Sequence, residues 1–160
     1  MAVMREPMTR HGHEKMKAEL ERLRSVERIK ISQEIEKARS FGDISENAEY
    51  HYAKDKQGHI EARIRDLEDR LSRADIIEIG KLSGERITFG ATVELEEIET
   101  KEKVRYQIVG SLESDPENGR ISYESPLAKF LIGKELGDDV IIKVGKGQKT
   151  YEILKVEFVE

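Results

Sequence analysis

Ser40-Phe41-Gly42-Asp43-Ile44-Ser45-Glu46 separates two stretches whose apolar residues recur at helical spacing, and its reading decides the fold. Gly42 can take the positive φ that ends a helix. Asp43 or Ser45 can start the next one. A connection this short obliges the two helices to run antiparallel. Before it, Met16, Leu20, Leu23, Ile31, Ile35 and Ala38 form a stripe that weakens at Glu27, with Val26 beside it. Thr9 is placed to cap the first helix, and no proline lies between Pro7 and Pro116 to break it. After the bend, Ile60, Ile64, Leu67, Leu71 and Ala74 alternate by four and three, as in a coiled-coil seam. The seam extends back through Gln57, Ala53 and Tyr50 and turns polar towards Gly42. The first half is therefore expected as an antiparallel coiled-coil hairpin. A helix of about 30 residues spans about 45 Å. Two helices bury little surface by themselves, so that length is best understood if the bend must reach somewhere.

From Arg86 the period changes to that of strands. Short β-branched runs occur at 91–95, 104–109, 120–123, 140–144 and 151–158. Asp115-Pro116-Glu117-Asn118-Gly119 and Gly145-Lys146-Gly147 supply turn signals between them. Pro126 to Ile132 reads as one short helix with Pro in its first turn. The fold class is α+β, divided as 1–76 for the hairpin, 77–85 for a linker and 86–160 for the globular domain. Met1 to Glu6 read as a short disordered lead.

Composition narrows the function classes. Charged residues make up 38% of the chain and aromatics 6%, which suits long amphipathic helices beside a modest core. The absence of cysteine excludes disulfides, thiolate chemistry and Cys-based zinc sites. No apolar run approaches the ~20 residues of a membrane span, so a cytoplasmic protein with no membrane role is expected. Residues 1–74 hold 16 Lys+Arg against 15 Asp+Glu, and the remaining 86 hold 12 against 18. Neither half has the basic excess of a free-standing nucleic-acid binder. Contact with nucleic acid should then be local, or organised by a protein partner.

The candidate chemistry sits at the bend. Asp43 and Glu46, three residues apart at the start of a helix, lie close enough to share one cation. Oxygen-only ligands suit Mg²⁺, which keeps several waters and needs one or two protein carboxylates. The same spacing is close to a capping box, with Asp43 as N-cap and Glu46 at N3. Both readings stand together, since a cap would hold the carboxylates in place. Two carboxylates are too few for a self-sufficient two-metal nuclease, so the missing ligands would come from a partner. Arg39, Lys54 and Lys56 flank the bend as RNA-steering candidates. Arg22, Arg24, Arg28 and Lys30 crowd the first helix, and all seven basic residues read either as solvated helix surface, with Arg24 and Arg28 offset by Glu21 and Glu27, or as a local phosphate-steering face for RNA. His11, His13, His51 and His59 show no zinc spacing. His51, near the bend, is a candidate for packing there. Ser125 has no triad partners, and the Gly145 turn is a hairpin rather than a phosphate loop.

Gly42-Asp43-Ile44-Ser45-Glu46-Asn47-Ala48-Glu49-Tyr50-His51 resembles the tip signature of the GreA family of transcript-cleavage factors. Pro7-Met8-Thr9, Phe89-Gly90-Ala91-Thr92-Val93, Ile108-Val109-Gly110, Ser125-Pro126-Leu127-Ala128 and Leu131-Ile132-Gly133-Lys134 continue the resemblance in order over nearly the whole chain. The resemblance implies a C-terminal domain similar to FKBP-type domains. It implies a protein that is not itself an enzyme, whose hairpin enters the secondary channel of RNA polymerase while its second domain docks at the rim. Asp43 and Glu46 would help the polymerase hold its second Mg²⁺ and a water, and the polymerase would cleave its own backtracked RNA near the 3′ end. A monomer that binds no Mg²⁺ stably alone is implied. Ser45 departs from the family, whose members often carry Lys there, which implies weaker cleavage or a different preference among backtracked lengths.

Three rivals set the alternatives. A relative that enters the channel and inhibits would carry a more altered tip. A peptidyl-prolyl isomerase would need an aromatic pocket, for which the second domain offers only Phe89, Tyr106, Tyr123, Phe130, Tyr151 and Phe158. A coiled-coil adaptor would need no chemistry at all.

Overall fold

The computed structural model describes residues 4–160. By internal contacts they form two units, one of Met4 and His13–Ala74 and the other of Arg5–Gly12 and Asp75–Glu160. Residues 5–12, read from the sequence as hairpin, thus belong to the globular unit. So do 77–85, read as a linker: Ile79 is buried there in a 3₁₀ turn, Ile79–Lys81.

The first unit takes up α1 (Arg10–Arg22) from His13 on, and a π turn (Leu23–Glu27) and α2 (Arg28–Arg39) follow without a break in helical dihedrals. The π turn lies where the apolar stripe weakens, and the spacing explains it. Met16 and Ile31, Leu20 and Ile35, and Leu23 and Ala38 are each fifteen residues apart, one more than two heptads. A wider turn absorbs the extra residue and returns Ile31 and Ala38 to the seam, both buried. Val26, inside that turn, stays 44% exposed.

The second arm, α3 (Ala48–Ser72), buries Ala53, Ile60, Ile64 and Leu67, as the four-three pattern requires. Ala74 departs from the expected seam, because the helix stops at Ser72 and Ala74 begins a strand. Ion pairs run between the arms in antiparallel order: Glu34 with Lys56, Arg28 with Glu61, and Arg24 with Glu68. Arg24 and Arg28 are therefore balanced across the hairpin, not by Glu21 and Glu27 along their own helix. Arg28 grips Glu61 through Nε and Nη2 at 2.8 and 2.9 Å. That pairing holds the Glu61 carboxyl below the usual carboxylate range.

In the second unit, β1 (Glu6–Thr9) pairs with β2 (Ala74–Ile77), of which all but Ala74 belongs to this unit. Glu6 is buried as the first residue of that strand, so it is not part of a disordered lead; Met1 to Val3 lie outside the described residues. The main sheet has the order β5-β4-β3-β7-β6, formed by Arg120–Ser122, Lys103–Val109, Thr92–Glu97, Gly147–Glu157 and Asp139–Val144. Every pairing is antiparallel except β4 with β5. The helix α4 (Pro126–Leu131) contributes Ala128 and Leu131 to a core that includes Ile87, Val93, Leu95, Ile108 and Ile153. Alternation along β3 buries Val93 and Leu95 on one face, where Ile108 of β4 joins them. Ser125 caps α4 by accepting from the Ala128 N–H at 3.2 Å. The α+β class expected for this chain is thereby seen.

Glu113 fastens the start of this unit. Its buried carboxylate accepts from the Thr9 N–H at 3.0 Å, the Gly110 N–H at 2.9 Å and the Thr9 hydroxyl. Thr9 Oγ1 in turn accepts from the Gly12 N–H at 3.0 Å, the N-cap read from the sequence. Gly12 must lack a side chain, because a Cβ there would overlap the Glu113 carboxylate. No helix among the described residues is long and apolar enough to cross a membrane.

Candidate functional site

The end of α2 is closed by backbone bonds from the Ser40 N–H to the Glu36 and Lys37 carbonyls and from the Phe41 N–H to Ala38, each at 3.2 Å. Gly42 then takes φ +122°, a backbone state that side chains resist, and reverses the chain. Asp43 follows in extended conformation and caps a single 3₁₀ turn, Ile44–Glu46. Its Oδ1 accepts from both the Ser45 N–H and the Ser45 hydroxyl at 3.0 Å.

The long second arm does not begin at Asp43 or Ser45. Asn47 is its N-cap: Oδ1 accepts from the Tyr50 N–H at 3.1 Å, and Nδ2 donates to the Ala38 carbonyl at 2.6 Å. One side chain thus satisfies both helix ends and ties them together. The capping box between Asp43 and Glu46 is not formed, because the intervening 3₁₀ turn delays the helix to Ala48. Sequence reasoning missed Asn47, since Asn47 to Tyr50 lacks the Glu or Gln at N3 that marks a capping box. It missed Glu113 for want of any local signal, its partner Thr9 being 104 residues away.

Although Asp43 caps the 3₁₀ turn, the acidic pair faces solvent. Every residue from Arg39 to Glu46 is exposed, and Glu46 has no side-chain partner among the described residues. One oxygen of Asp43 is engaged by Ser45, leaving the other for a ligand. No cluster of three or more His, Asp or Glu side chains among the described residues is placed to hold a metal. What the bend offers is two carboxylates, the number Mg²⁺ takes from a protein when water or another macromolecule supplies the rest.

The basic candidates separate. Lys54 donates to Gln57 at 3.0 Å, and Lys56 lies 4.0 Å from Glu34. Arg39 is exposed and without a partner among the described residues. His51 stacks edge-on against Tyr50 at 5.5 Å, consistent with packing near the bend. In the globular unit Tyr106, Tyr123, Phe130, Tyr151 and Phe158 lie against the core, and Phe89 meets Tyr123 edge-on at 5.8 Å.

The fold and the bend define a helical-hairpin protein that presents an open acidic turn, alongside an α+β unit. Comparison with known proteins gives the family. Residues 6–76 match the N-terminal model of transcription elongation factors, and residues 82–158 match the GreA/GreB C-terminal model. The transcription elongation factor GreA of Anaeromyxobacter sp. (strain K) is 51% identical over 158 residues, 99% of this chain and 95% of that protein. GreA of Phenylobacterium zucineum is 52% identical over 153 residues, 96% and 98% of the two chains. The solved structure of Thermus aquaticus Gfh1 is 32% identical, covers 97% of this chain and 99% of that one, and superposes with a TM-score of 0.45. The chain belongs to the GreA/GreB family of transcription elongation factors.

Proposed function

We propose that this chain stimulates RNA polymerase to hydrolyse its own backtracked transcript, and that Asp43 and Glu46 are the groups it lends to that active site. The observation that supports this most directly is the open acidic bend, with Glu46 unpartnered among the described residues and Asn47 bonded to the ends of both helices. The hairpin enters the secondary channel, and the globular unit docks at its rim. The chain acts as a monomer in the cytoplasm and is not an enzyme by itself.

Asp43 and Glu46 complete, with the polymerase's own carboxylates, a site for Mg²⁺ that neither protein holds well alone. Mg²⁺ held there would offset the negative charge that develops as water attacks the scissile phosphorus and expels the 3′ oxygen of the retained transcript, the phosphate leaving on the 3′ fragment. The remaining work falls to the chain's own groups. Ser45 orients the Asp43 carboxylate by two hydrogen bonds, so its free oxygen keeps one direction. Asn47 holds the turn against the ends of both helices. Arg39 is free to meet an RNA phosphate close to the carboxylates.

The test uses purified polymerase stalled in backtracked complexes. Asp43→Asn keeps a side chain that caps as well as Asp but removes the charge, and Glu46→Gln does the same for the second carboxylate. Each should lower stimulated cleavage by about 100-fold, the scale of losing one preorganised electrostatic contact. Polymerase binding and helicity should be unchanged. Full cleavage by either variant would refute the proposed roles. Blocked nucleotide addition without shortened RNA would instead mark the unaltered protein as a channel inhibitor.

A further inference from the structure

Phe41 is the feature of the bend that the acidic pair does not explain. It is 66% exposed, and it has no ring partner among the described residues. Its backbone is held by the bond to the Ala38 carbonyl, so the side chain springs from a fixed point. On one side, two residues back, is the unpartnered Arg39. On the other, two residues on, is Asp43. Ile44, 42% exposed, adds further apolar surface to the same turn.

An exposed aromatic two residues from an exposed guanidinium without a partner among the described residues matches how proteins hold single-stranded nucleic acid without reading its sequence. The ring stacks on a base, and the cation meets the adjoining phosphate. Charge argues for the same occupant. The turn bears two carboxylates, which repel a phosphate, so a nucleotide strand needs one cation and one neutral face to approach them. Arg39 and Phe41 supply one of each. We infer that Phe41 stacks on an unpaired base of the extruded RNA 3′ segment, with Arg39 on its phosphate, and so positions that strand against Asp43 and Glu46. Phe41 is thereby a substrate-contacting residue. The inference rests on the cleavage reading above.

The experiment measures cleavage of backtracked complexes by the full-length chain and by Phe41→Ala, Phe41→Leu and Phe41→Trp. It uses RNA that is intact or abasic at one or the other of the extruded nucleotides. On intact RNA, Phe41→Ala and Phe41→Leu should each lose about fivefold or more, the scale of one base–aromatic stack. Phe41→Trp should retain activity, since it keeps an aromatic face. On RNA abasic at the stacked position, the unaltered chain should fall to the level of Phe41→Ala, and Phe41→Ala should fall no further. Polymerase affinity and circular dichroism should match across the set. If Phe41→Leu cleaves like the unaltered chain, the contact is apolar packing and stacking is overturned. If Phe41→Ala loses the same factor on every abasic RNA as on intact RNA, the ring does not act through a base, and stacking is again overturned. If the unaltered chain stimulates no cleavage of intact RNA, the functional reading fails, and this inference with it.

Discussion

Asn47 shows how much one side chain can decide at the residue scale. It satisfies the N–H of Tyr50 and the carbonyl of Ala38, which belong to the two different arms. Asp43 makes only local bonds to Ser45. The two residues should therefore respond differently to truncation. Asn47→Ala removes a helix cap and is expected to cost about 1–2 kcal/mol. Urea denaturation followed by circular dichroism at 222 nm would measure it. Asp43→Ala should cost less, since it caps only one 3₁₀ turn, while its effect on cleavage should be far greater. Stability and cleavage are thus carried by neighbouring residues and can be altered separately.

At the scale of elements, the π turn of the first arm is the informative feature. The apolar stripe carries one residue more than two heptads, and the turn at Leu23–Glu27 takes it up. Arg22 and Glu27, five apart, come within 3.6 Å there, as the wider turn allows. Deleting Val26, which is exposed within that turn, should restore fourteen-residue spacing and leave an ordinary α-helix. Its unfolding midpoint should equal or exceed that of the parent. Deleting Gln33 should instead turn Ile35 and Ala38 out of the seam and lower the midpoint clearly. Thermal melts of the two deletions decide the matter. Equal destabilisation by both would mean that the π turn is not a response to the extra residue. The Arg28–Glu61 pair acts at this scale too. Because its carboxyl titrates below the usual range when folded, the stability it adds is present at neutral pH and is lost as pH falls below that range.

At the scale of the whole molecule, the chain returns on itself to place Glu113 beneath Thr9 and Gly12. This makes Arg5–Gly12 part of the globular unit. Gly12→Ala would press a methyl group against the buried carboxylate and is expected to destabilise by about 1–3 kcal/mol. A shift in the urea midpoint would report the loss. Glu113→Ala combined with Gly12→Ala should cost less than the two changes added, because the clash disappears with the carboxylate. Strict additivity would place the defect elsewhere.

The sequence alone determined the hairpin, its acidic bend, the change of period near Arg86 and the short helix opening at Pro126. All of these depend on interactions between residues a few positions apart, where spacing and turn chemistry speak directly. It also carried the seam as far as Leu71, but not the stop at Ser72 that placed Ala74 in a strand. Only the tertiary structure decided that Asn47 rather than Asp43 caps the second arm. Only there could Arg24 and Arg28 find their acidic partners across the hairpin, and residues 5–12 join the second unit. The last two outcomes join groups far apart in the chain, and the first turns on a carbonyl of the opposite arm, that of Ala38. A buried carboxylate meeting a threonine 104 residues away leaves no trace in local periodicity, since the two come together only when the chain has folded back.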